Sequence, residues 1–297
     1  MTLYTLAESN IRKTWLYLAC FLFLILLVGY FFAYFFQSWT IFWIALILAF
    51  LMNFFSYWYS DKIVLALSGA KRIEKKDNPE LYRIVENLCI TAGLPMPKIY
   101  LINDPQPNAF ATGRNPQNSA IAVTTGLLER LERTELEGVI SHELAHIGNR
   151  DILLATILVV LVGLIVYSTE FFFRISFWQR PSKREKRKSP ILMIIGLILM
   201  ILAPLLATLI RLAISRKREF LADATGSLLT RYPEGLARAL EKISKFPYPL
   251  KRANNATAHL YIINPFRGKE SKSWLHRLFS THPPVEERIK ALRGMKV

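Results

Sequence analysis

The sequence predicts a membrane-anchored α+β protein, with an α-helical anchor of four transmembrane helices and a polar domain divided between two segments of the chain. Two observations support this fold class. The chain of 297 residues is 52% hydrophobic, and its apolar residues are concentrated in four long runs. The segments between those runs show both helical and strand-like patterns, as an α+β domain does.

Each apolar run is long enough to form a transmembrane helix. The runs contain about 18 to 25 residues, and about 20 residues of helix cross a hydrocarbon core of about 30 Å. No charged residue lies at the centre of a run. The first run is longer than the apolar part of a signal peptide, so we expect it to remain as an anchor. The four runs are Thr14–Phe36, Ile41–Trp58, Ile152–Phe173 and Pro190–Ile214.

Basic residues beside the runs predict the orientation of the chain. Arg12 and Lys13 precede the first run, whereas the linker 37–40 between the first two runs has no charge. Cytoplasmic loops are the ones enriched in Lys and Arg. We therefore expect a multi-pass protein of the cell membrane, with the polar segments 59–151 and 215–297 in the cytoplasm.

The linker between the third and fourth runs disagrees with this orientation. It spans 174–189 and carries seven Lys and Arg residues, which the predicted topology places outside the cell. Either the hairpin 152–214 inserts only partly, or the two helices of residues 1–58 fix the topology despite the linker. We expect full insertion, because both runs are long and the first helix usually dominates.

The net charge of +16 raises the question of which anionic partner the basic residues contact. No nucleic-acid-binding motif accompanies the charge, so we expect no nucleic-acid partner. Lys and Arg close to membrane runs attract anionic lipid. The expected partner of the basic surface is therefore the lipid bilayer.

The first polar segment predicts a mixture of helices and strands. Apolar residues at helical spacing predict a helix over Asn78–Gly93, and another helical stretch begins at Leu127–Leu131. Three strands are predicted at Pro97–Asn103, Asn108–Thr112 and Ala120–Thr125, with a turn at 113–116 between the last two.

Two further sets of helices complete the prediction. Thr134 has Glu137 three residues later, which is the spacing of a capping box, and the helix that it begins runs through residue 146. The second polar segment predicts helices at Arg216–Arg231, Pro233–Phe246 and Pro284–Gly294. Residues 247–281 show no clear periodicity.

The sequence His142-Glu143-Leu144-Ala145-His146 has the spacing of a metal-dependent hydrolase. Residues four apart lie on one face of a helix, so both imidazoles can bind one metal ion. Glu143 is rotated by about 100° from His142 and is placed to accept a proton from the attacking water rather than to bind the metal. The spacing therefore predicts one catalytic Zn²⁺ ion with Glu143 as the base. The alternative is an amphipathic helix with exposed histidines.

A catalytic zinc ion needs a third protein ligand and an open position. Glu219 is the candidate, because its other neighbours are basic or apolar. Asp223 lies four residues later on the same helical face and can accept a hydrogen bond from the free nitrogen of a zinc histidine, for which we favour His142. The alternative is that both carboxylates belong to a solvated acidic face.

Several ordered motifs resemble those of the HtpX-type membrane metallopeptidases, which are relatives of the CAAX prenyl endoproteases. The resemblance covers nearly the whole chain and implies a zincin-like (gluzincin) metallopeptidase domain. The matching stretches are His142-Glu143-x-x-His146, Glu219-x-x-x-Asp223, Ser280-Thr281-His282-Pro283-Pro284, Glu287-Arg288-Ile289 and Asn108-Ala109-Phe110-Ala111-Thr112-Gly113.

The resemblance implies further roles for these residues. Asn108, Ala109 and Phe110 would belong to an edge strand that pairs with the backbone of the substrate. His282 would stabilise the oxyanion of the tetrahedral intermediate, and Arg288 would support the C-terminal segment. His282 could instead be a simple turn residue before two prolines.

The sequence therefore predicts a zinc metalloendopeptidase, which we expect to cut membrane proteins or unfolded polypeptides close to the bilayer. Both halves of the zinc site lie within about six residues of an apolar run, or roughly 7–9 Å if the helices continue. The family resemblance points to quality control of misfolded or damaged membrane proteins in a stress response. Two alternatives are a non-catalytic zinc-containing membrane scaffold and a CAAX-type prenyl protein endoprotease.

Overall fold

A computed structural model describes residues 3–35, 37–157, 159, 216–253, 256–266 and 283–295. Most of the third and fourth apolar runs, the basic linker 174–189 and His282 lie outside these residues. The predictions of a transmembrane hairpin and of an oxyanion role for His282 are therefore not tested by the structure.

The chain begins with two long apolar helices, α1 (Leu3–Phe35) and α2 (Trp39–Leu67), which pack against each other as a hairpin. Gly29 lies where the two helices touch, because a Cβ atom added to it would be 2.5 Å from the Cβ of Ala45. Within the described residues, Glu8–Leu27 and Trp39–Leu67 are long and apolar enough to cross a membrane, with mean hydropathy 1.5 and 1.9.

The first polar segment folds into a small sheet with helices packed on it. Asn78 caps the helix α3 by accepting a hydrogen bond from the backbone of Leu81, and Gly93 ends it in a left-handed conformation with φ of 65°. The elements are β1 (Lys71–Arg72), α3 (Pro79–Ala92), β2 (Lys98–Ile102), β3 (Ala109–Asn115), β4 (Asn118–Thr124), α4 (Thr125–Arg130) and α5 (Arg133–Gly148).

The sheet has the strand order β1-β2-β4-β3, so β3 lies at an edge. β4 is parallel to β2 and antiparallel to β3. The turn predicted at 113–116 joins the two strands but starts too early, because β3 continues to Asn115 and the turn is at residues 116–117. The two-residue strand β1 is too short to give a periodic pattern and was not expected.

The helix that carries the histidines begins one residue earlier than the predicted cap. The backbone of Glu132 donates a hydrogen bond of 2.9 Å to Glu135, so Glu135 takes the place that the sequence assigned to Glu137. Thr134 lies inside the first turn, and Glu137 pairs with Arg133 on the surface. The prediction of Thr134 as the cap is wrong because two overlapping sequences satisfy the same spacing, and only Glu135 is buried.

The helices of the second polar segment pack around α5. They are α6 (Arg216–Thr230), α7 (Pro233–Ser244) and α8 (Val285–Arg293), close to the predicted ranges, with a 3-10 turn at Ala258–Leu260. α5 contacts α3, β3, α6 and α7, and most of its side chains are buried. The central position of α5 explains why His142 is buried and His146 half-buried rather than exposed to solvent.

α5 does not continue directly into the third apolar run. It ends at Gly148, and Arg150 adopts a left-handed conformation with φ of 57° before residues 151–157 form another helical stretch. This turn changes the direction of the chain, so the distance expected for a continuous helix does not apply to this half of the site.

Candidate metal centre and active site

The candidate metal site is built where α6 crosses α5 at short distance. A Cβ atom added to Gly226 would lie 2.9 Å from the backbone nitrogen of His142. Only a glycine therefore lets the two helices approach this closely without displacing one of them. The close approach brings the carboxylate of Glu219, two turns earlier on α6, to the histidines of α5.

Three potential ligand atoms converge between these helices. The Nε2 atoms of His142 and His146 are 3.2 Å apart, and the carboxylate oxygens of Glu219 lie 3.8 Å from His142 Nε2 and 3.6 Å from His146 Nε2. Tetrahedral zinc with bonds of about 2.0–2.1 Å separates its ligands by about 3.3 Å. The spacing of the three groups, which all lie within 4.8 Å of one another, fits such an ion.

His142 is oriented by a buried carboxylate that α6 also supplies. Its Nδ1 atom lies 2.9 Å from Asp223 Oδ1, and Asp223 is fully buried. This contact leaves Nε2 directed at the metal position, as Asp223 was expected to do. Asp223 in turn accepts two hydrogen bonds from Arg288, of 2.8 Å from Nε and 2.7 Å from the NH2 group.

Arg288 lies deeper in the site than its expected supporting role required. Its side chain is fully buried, and its NH1 group donates 2.8 Å to the carbonyl of Ile262. The guanidinium also lies 3.7 Å from Glu219. Burial acts to raise the pKa of Asp223, but the charge and hydrogen bonds of Arg288 lower it to about 2, so this carboxylate stays ionised.

His146 has its own carboxylate partner, Asp151, which the sequence reasoning missed. His146 Nδ1 lies 3.1 Å from Asp151 Oδ2. Asp151 Oδ1 accepts hydrogen bonds of 2.8 Å from Asn10 and 3.3 Å from Arg218. The only indication in the sequence is that Asp151 follows His146 by five positions. In a continuous helix this spacing would not bring the two side chains together. The left-handed turn at Arg150 does so.

The pKa values of the two histidines are shifted in opposite directions. Burial acts to lower the pKa of His146, but the hydrogen bond that its Nδ1 donates to Asp151 and the charge of Glu219 raise it to about 9. For His142, burial outweighs the contribution of Asp223 and lowers the pKa, with Arg288 and His146 acting in the same direction. Two imidazoles and a carboxylate are one of the donor sets that hold zinc at catalytic sites.

Glu143 is buried beside the metal position without being part of the ligand cluster. Burial raises the pKa of Glu143 to about 7, against the opposing charge of His146 and a hydrogen bond from the backbone of Ala111. A carboxylate whose pKa lies close to neutrality can both accept and return a proton.

A narrow cleft leads to this cluster. It has about 40 Å³ of space accessible to water, room for a few water molecules. One wall comes from β3 at Ala111, and the opposite wall comes from residues His259–Ile262.

β3 lies at the sheet edge, as expected, but its outward backbone groups are already engaged. The carbonyl of Ala109 accepts a 3.0 Å hydrogen bond from Ile262, and the amide of Gly113 donates to the hydroxyl of Thr156 at 3.4 Å. The side chain of Asn108 donates 2.9 Å to the carbonyl of Ile263. Phe110 packs edge-on against Tyr261, with 5.1 Å between the ring centroids. Residues 256–266 thus cover the edge where a substrate strand was expected.

A family model matches three quarters of the chain. Residues 75–296 match the model of peptidase family M48. The matched residues include both halves of the candidate metal site.

Relatives and one solved structure agree with that match. A protease HtpX homolog from Dictyoglomus turgidum is 50% identical over 295 residues, covering 99% of this chain and 95% of the relative. Another from Caldanaerobacter subterraneus subsp. tengcongensis is 47% identical over 302 residues, covering 100% and 99%. The crystal structure of Ste24p from S. mikatae has a TM-score of 0.50 at 20% identity, covering 97% of this chain and 67% of that protein, and shares the fold. The chain therefore belongs to peptidase family M48, and it is a metallopeptidase of the HtpX type.

Proposed function

We propose that this chain is a zinc-dependent endopeptidase that cuts membrane proteins, or unfolded segments close to the bilayer, in membrane protein quality control under stress. The observation that carries the proposal is the contact between the first apolar helix and the metal site. Asn10 of α1 donates 2.8 Å hydrogen bonds to Asp151 and to the backbone of Asn149, immediately after the helix of the metal-binding histidines. Since the first apolar run begins at Thr14, this contact supports a metal site at the surface of the bilayer.

His142, His146 and Glu219 are the proposed ligands of one zinc ion. When bound, zinc supplies a Lewis acid that lowers the pKa of water at its open position and polarises the scissile carbonyl. Asp223 and Asp151 hold the two imidazoles so that each presents Nε2 to the ion. Arg288 keeps Asp223 ionised and fixed.

Glu143 is the proposed general base and then general acid. Its carboxylate takes a proton from the attacking water and transfers it to the leaving amine nitrogen, a sequence that a pKa of about 7 suits in both directions. His282 is proposed to stabilise the oxyanion of the tetrahedral intermediate, on the strength of the sequence resemblance.

Substrate is proposed to bind as an extended strand along β3. The carbonyl of Ala109 and the backbone of Ala111 lie on the side of β3 that faces the cleft. Backbone pairing recognises an extended chain without requiring particular side chains, so it suits unfolded polypeptides of varied sequence. Binding of this kind requires residues 256–266 to release the strand.

The proposed topology has four membrane spans, with the metal site in the cytoplasm. α1 and α2 supply two spans, and the third and fourth apolar runs supply the others. The absence of charge in the linker 37–40 and the basic residues on both sides of the first two runs support the orientation.

The assignment of Glu143 is tested by comparing three variants with the full-length enzyme in proteoliposomes. Glu143→Gln should lower the cleavage rate of an unfolded membrane-anchored substrate by about 100-fold or more while leaving the zinc content unchanged. His146→Ala should lose both zinc and activity. Glu137→Gln, on the same helix but paired with Arg133 at the surface, is the control and should keep both. Full activity in Glu143→Gln would refute the mechanism.

The membrane-surface proposal needs a separate test. One cleavable sequence is placed at increasing distance from a transmembrane anchor, and the rate of cut product is measured for each length. We expect the rate to fall as the sequence moves away from the bilayer. Equal rates at all distances would overturn the proposal about substrate while leaving the peptidase activity in place.

A further inference from the structure

A surface cavity with basic and aromatic walls lies away from the metal site, between α2 and the sheet. It encloses about 540 Å³, and we call it the interfacial pocket. Its wall from α2 includes Trp58, Tyr59 and Lys62, and its wall from the sheet includes Lys98, Arg114 and Asn118. None of these residues is a proposed zinc ligand, general base or oxyanion-stabilising residue.

The length of α2 places this pocket at a defined depth. A helix crosses a hydrocarbon core of about 30 Å with about 20 residues, and Trp39 to Trp58 is a stretch of that length. Trp39 and Trp43 are exposed at one end of the stretch, and Trp58 and Tyr59 are exposed at the other. Exposed Trp and Tyr residues mark the two membrane interfaces. On the proposal that α2 spans the membrane, the pocket lies at the level of the lipid headgroups.

The cations of the pocket are available to an anion. The guanidinium of Arg114 lies 4.2 Å from the ring centroid of Trp58, and the ammonium of Lys62 lies 5.1 Å from that of Tyr59. These contacts place the two positive groups beside aromatic faces. Among the residues that the structure describes, no carboxylate lies within 4.0 Å of Lys62, Lys98 or Arg114, so these charges are not neutralised by ion pairs there.

From this arrangement we infer that the interfacial pocket binds the phosphate headgroup of an anionic phospholipid. The lining of the pocket contains three cations and one carboxylate, Asp61, so its net charge is positive. Arg and Lys donate to phosphate oxygens, and the Asn118 amide can donate to a phosphate or glycerol oxygen. A zwitterionic lipid carries its own cation and gains less from such a pocket. The aromatic rings of Trp58 and Tyr59 would lie beside the glycerol and upper acyl region.

Lipid bound here would hold the sheet against the bilayer. Arg114 lies in β3, the strand proposed to bind substrate, and Lys98 begins β2. One headgroup would therefore join α2 to both strands. This linkage would fix the direction of β3 relative to the membrane surface.

The test uses the full-length protein in a neutral detergent, titrated with phosphatidylglycerol or phosphatidylcholine, with thermal unfolding and native mass spectrometry as readouts. We expect phosphatidylglycerol to raise the Tm and to remain bound, and phosphatidylcholine to do neither. The triple variant Lys62→Gln, Lys98→Gln, Arg114→Gln should need at least about tenfold more phosphatidylglycerol for half of the shift. Arg114→Lys, which keeps the charge, should retain most of the binding if the triple variant proves unstable.

The matched control removes three other exposed cations, Lys71→Gln, Lys251→Gln and Lys290→Gln, and should bind phosphatidylglycerol like the parent protein. Equal loss in this control would show a general charge effect and overturn the proposal. Unchanged binding in the pocket variant would overturn it too. So would a full shift with glycerol 1-phosphate or inorganic phosphate, which would indicate a soluble anion. Cleavage and zinc content are measured in parallel, so failure of the peptidase proposal is distinguishable.

Discussion

At the scale of single residues, each of the two proposed ligand histidines contacts its own carboxylate, one near in sequence and one distant. Asp223 orients His142 and is held by Arg288, whereas Asp151 orients His146 and is held by Asn10 and Arg218. Such partners fix the tautomer and raise the basicity of the ligand. The two carboxylates are therefore expected to influence metal affinity although neither belongs to the ligand cluster.

Replacing Asp151 with Asn should weaken zinc binding. The variant keeps the size of the side chain but removes the negative charge beside His146 Nδ1, and loss of such a partner typically lowers metal affinity by 10–100-fold. A competition titration against a zinc chelator of known affinity measures the change. Asp77→Asn, in an exposed turn, is the control and should bind zinc like the parent. An unchanged dissociation constant in Asp151→Asn would contradict the role of this residue.

The residues that share a helix could be predicted from the sequence, and the one that depends on a turn could not. His142, Glu143 and His146 follow from spacing within one helix, and Glu219 and Asp223 from spacing within another. Asp151 reaches His146 only because Arg150 takes a left-handed conformation, which is uncommon for a residue other than glycine. A left-handed residue of this kind cannot be predicted from the periodicity of the sequence.

At the scale of secondary-structure elements, the approach of α6 to α5 determines the geometry of the ligand cluster. Gly226 of α6 leaves no room for a side chain against the backbone of Ser141 and His142. Sequence patterns predicted both helices, but they could not show which faces meet, because a glycine in a helix has several possible causes.

A Gly226→Ala substitution should therefore separate the two helices at the metal site. The added Cβ would lie 2.9 Å from the backbone nitrogen of His142, so α6 must shift and carry Glu219 with it. We expect a cost of about 1–3 kcal/mol in the free energy of unfolding, together with weaker zinc binding.

Gly148→Ala provides the control for this substitution, since its added Cβ would only touch Leu94 at 3.6 Å. This variant makes the same chemical change in the helix of the histidines, and we expect it to keep the stability and zinc affinity of the parent. Thermal unfolding and chelator competition distinguish the two variants. If Gly226→Ala has the same Tm and zinc affinity as Gly148→Ala, close packing at Gly226 does not determine the geometry of the metal site.

The edge strand β3 and the residues that cover it form the second arrangement at this scale. The amide of Ile262 donates to Ala109, and the carbonyl of Ile262 accepts from Arg288. The sequence of 247–281 shows no clear periodicity. Residues 256–263, which lie within it, are joined to β3 and Arg288 by single hydrogen bonds, and such contacts need no periodic pattern. The contact of this segment with β3 could not be predicted from the sequence.

Binding of a substrate-like inhibitor should expose this segment to solvent. A peptide hydroxamate that pairs with β3 would compete with the Ile262 amide for the carbonyl of Ala109, so hydrogen exchange in residues 256–263 should become faster. Mass spectrometry of deuterium uptake measures this, with helix α3, which is buried on one face only, as an internal control that should not change. Slower or unchanged exchange in residues 256–263 would mean that substrate does not replace this segment.

At the scale of the whole molecule, the metal site joins parts of the chain that are far apart in sequence. Glu219 follows His146 by 73 positions, and the two flank the third and fourth apolar runs. Asn10 and Arg288 add the beginning and the end of the chain to the same cluster. Zinc bound at this point would therefore stabilise the fold as a whole, since the unfolded chain cannot bring these groups together.

Removal of zinc should accordingly lower the stability of the entire protein. A ligand present at 1,000 times its dissociation constant contributes about 4 kcal/mol, and a domain of this size loses roughly 2–4 °C of Tm per kcal/mol, so chelation should lower the Tm by roughly 10 °C. Scanning calorimetry or intrinsic fluorescence in detergent, with and without chelator, measures the shift. His146→Ala should already have the lower Tm and should not respond to chelator. An unchanged Tm of the parent after zinc removal would mean that the ion does not join the two polar segments. The contact of Asp223 with Arg288 and the surrounding core would then be enough to hold α5, α6 and α8 together.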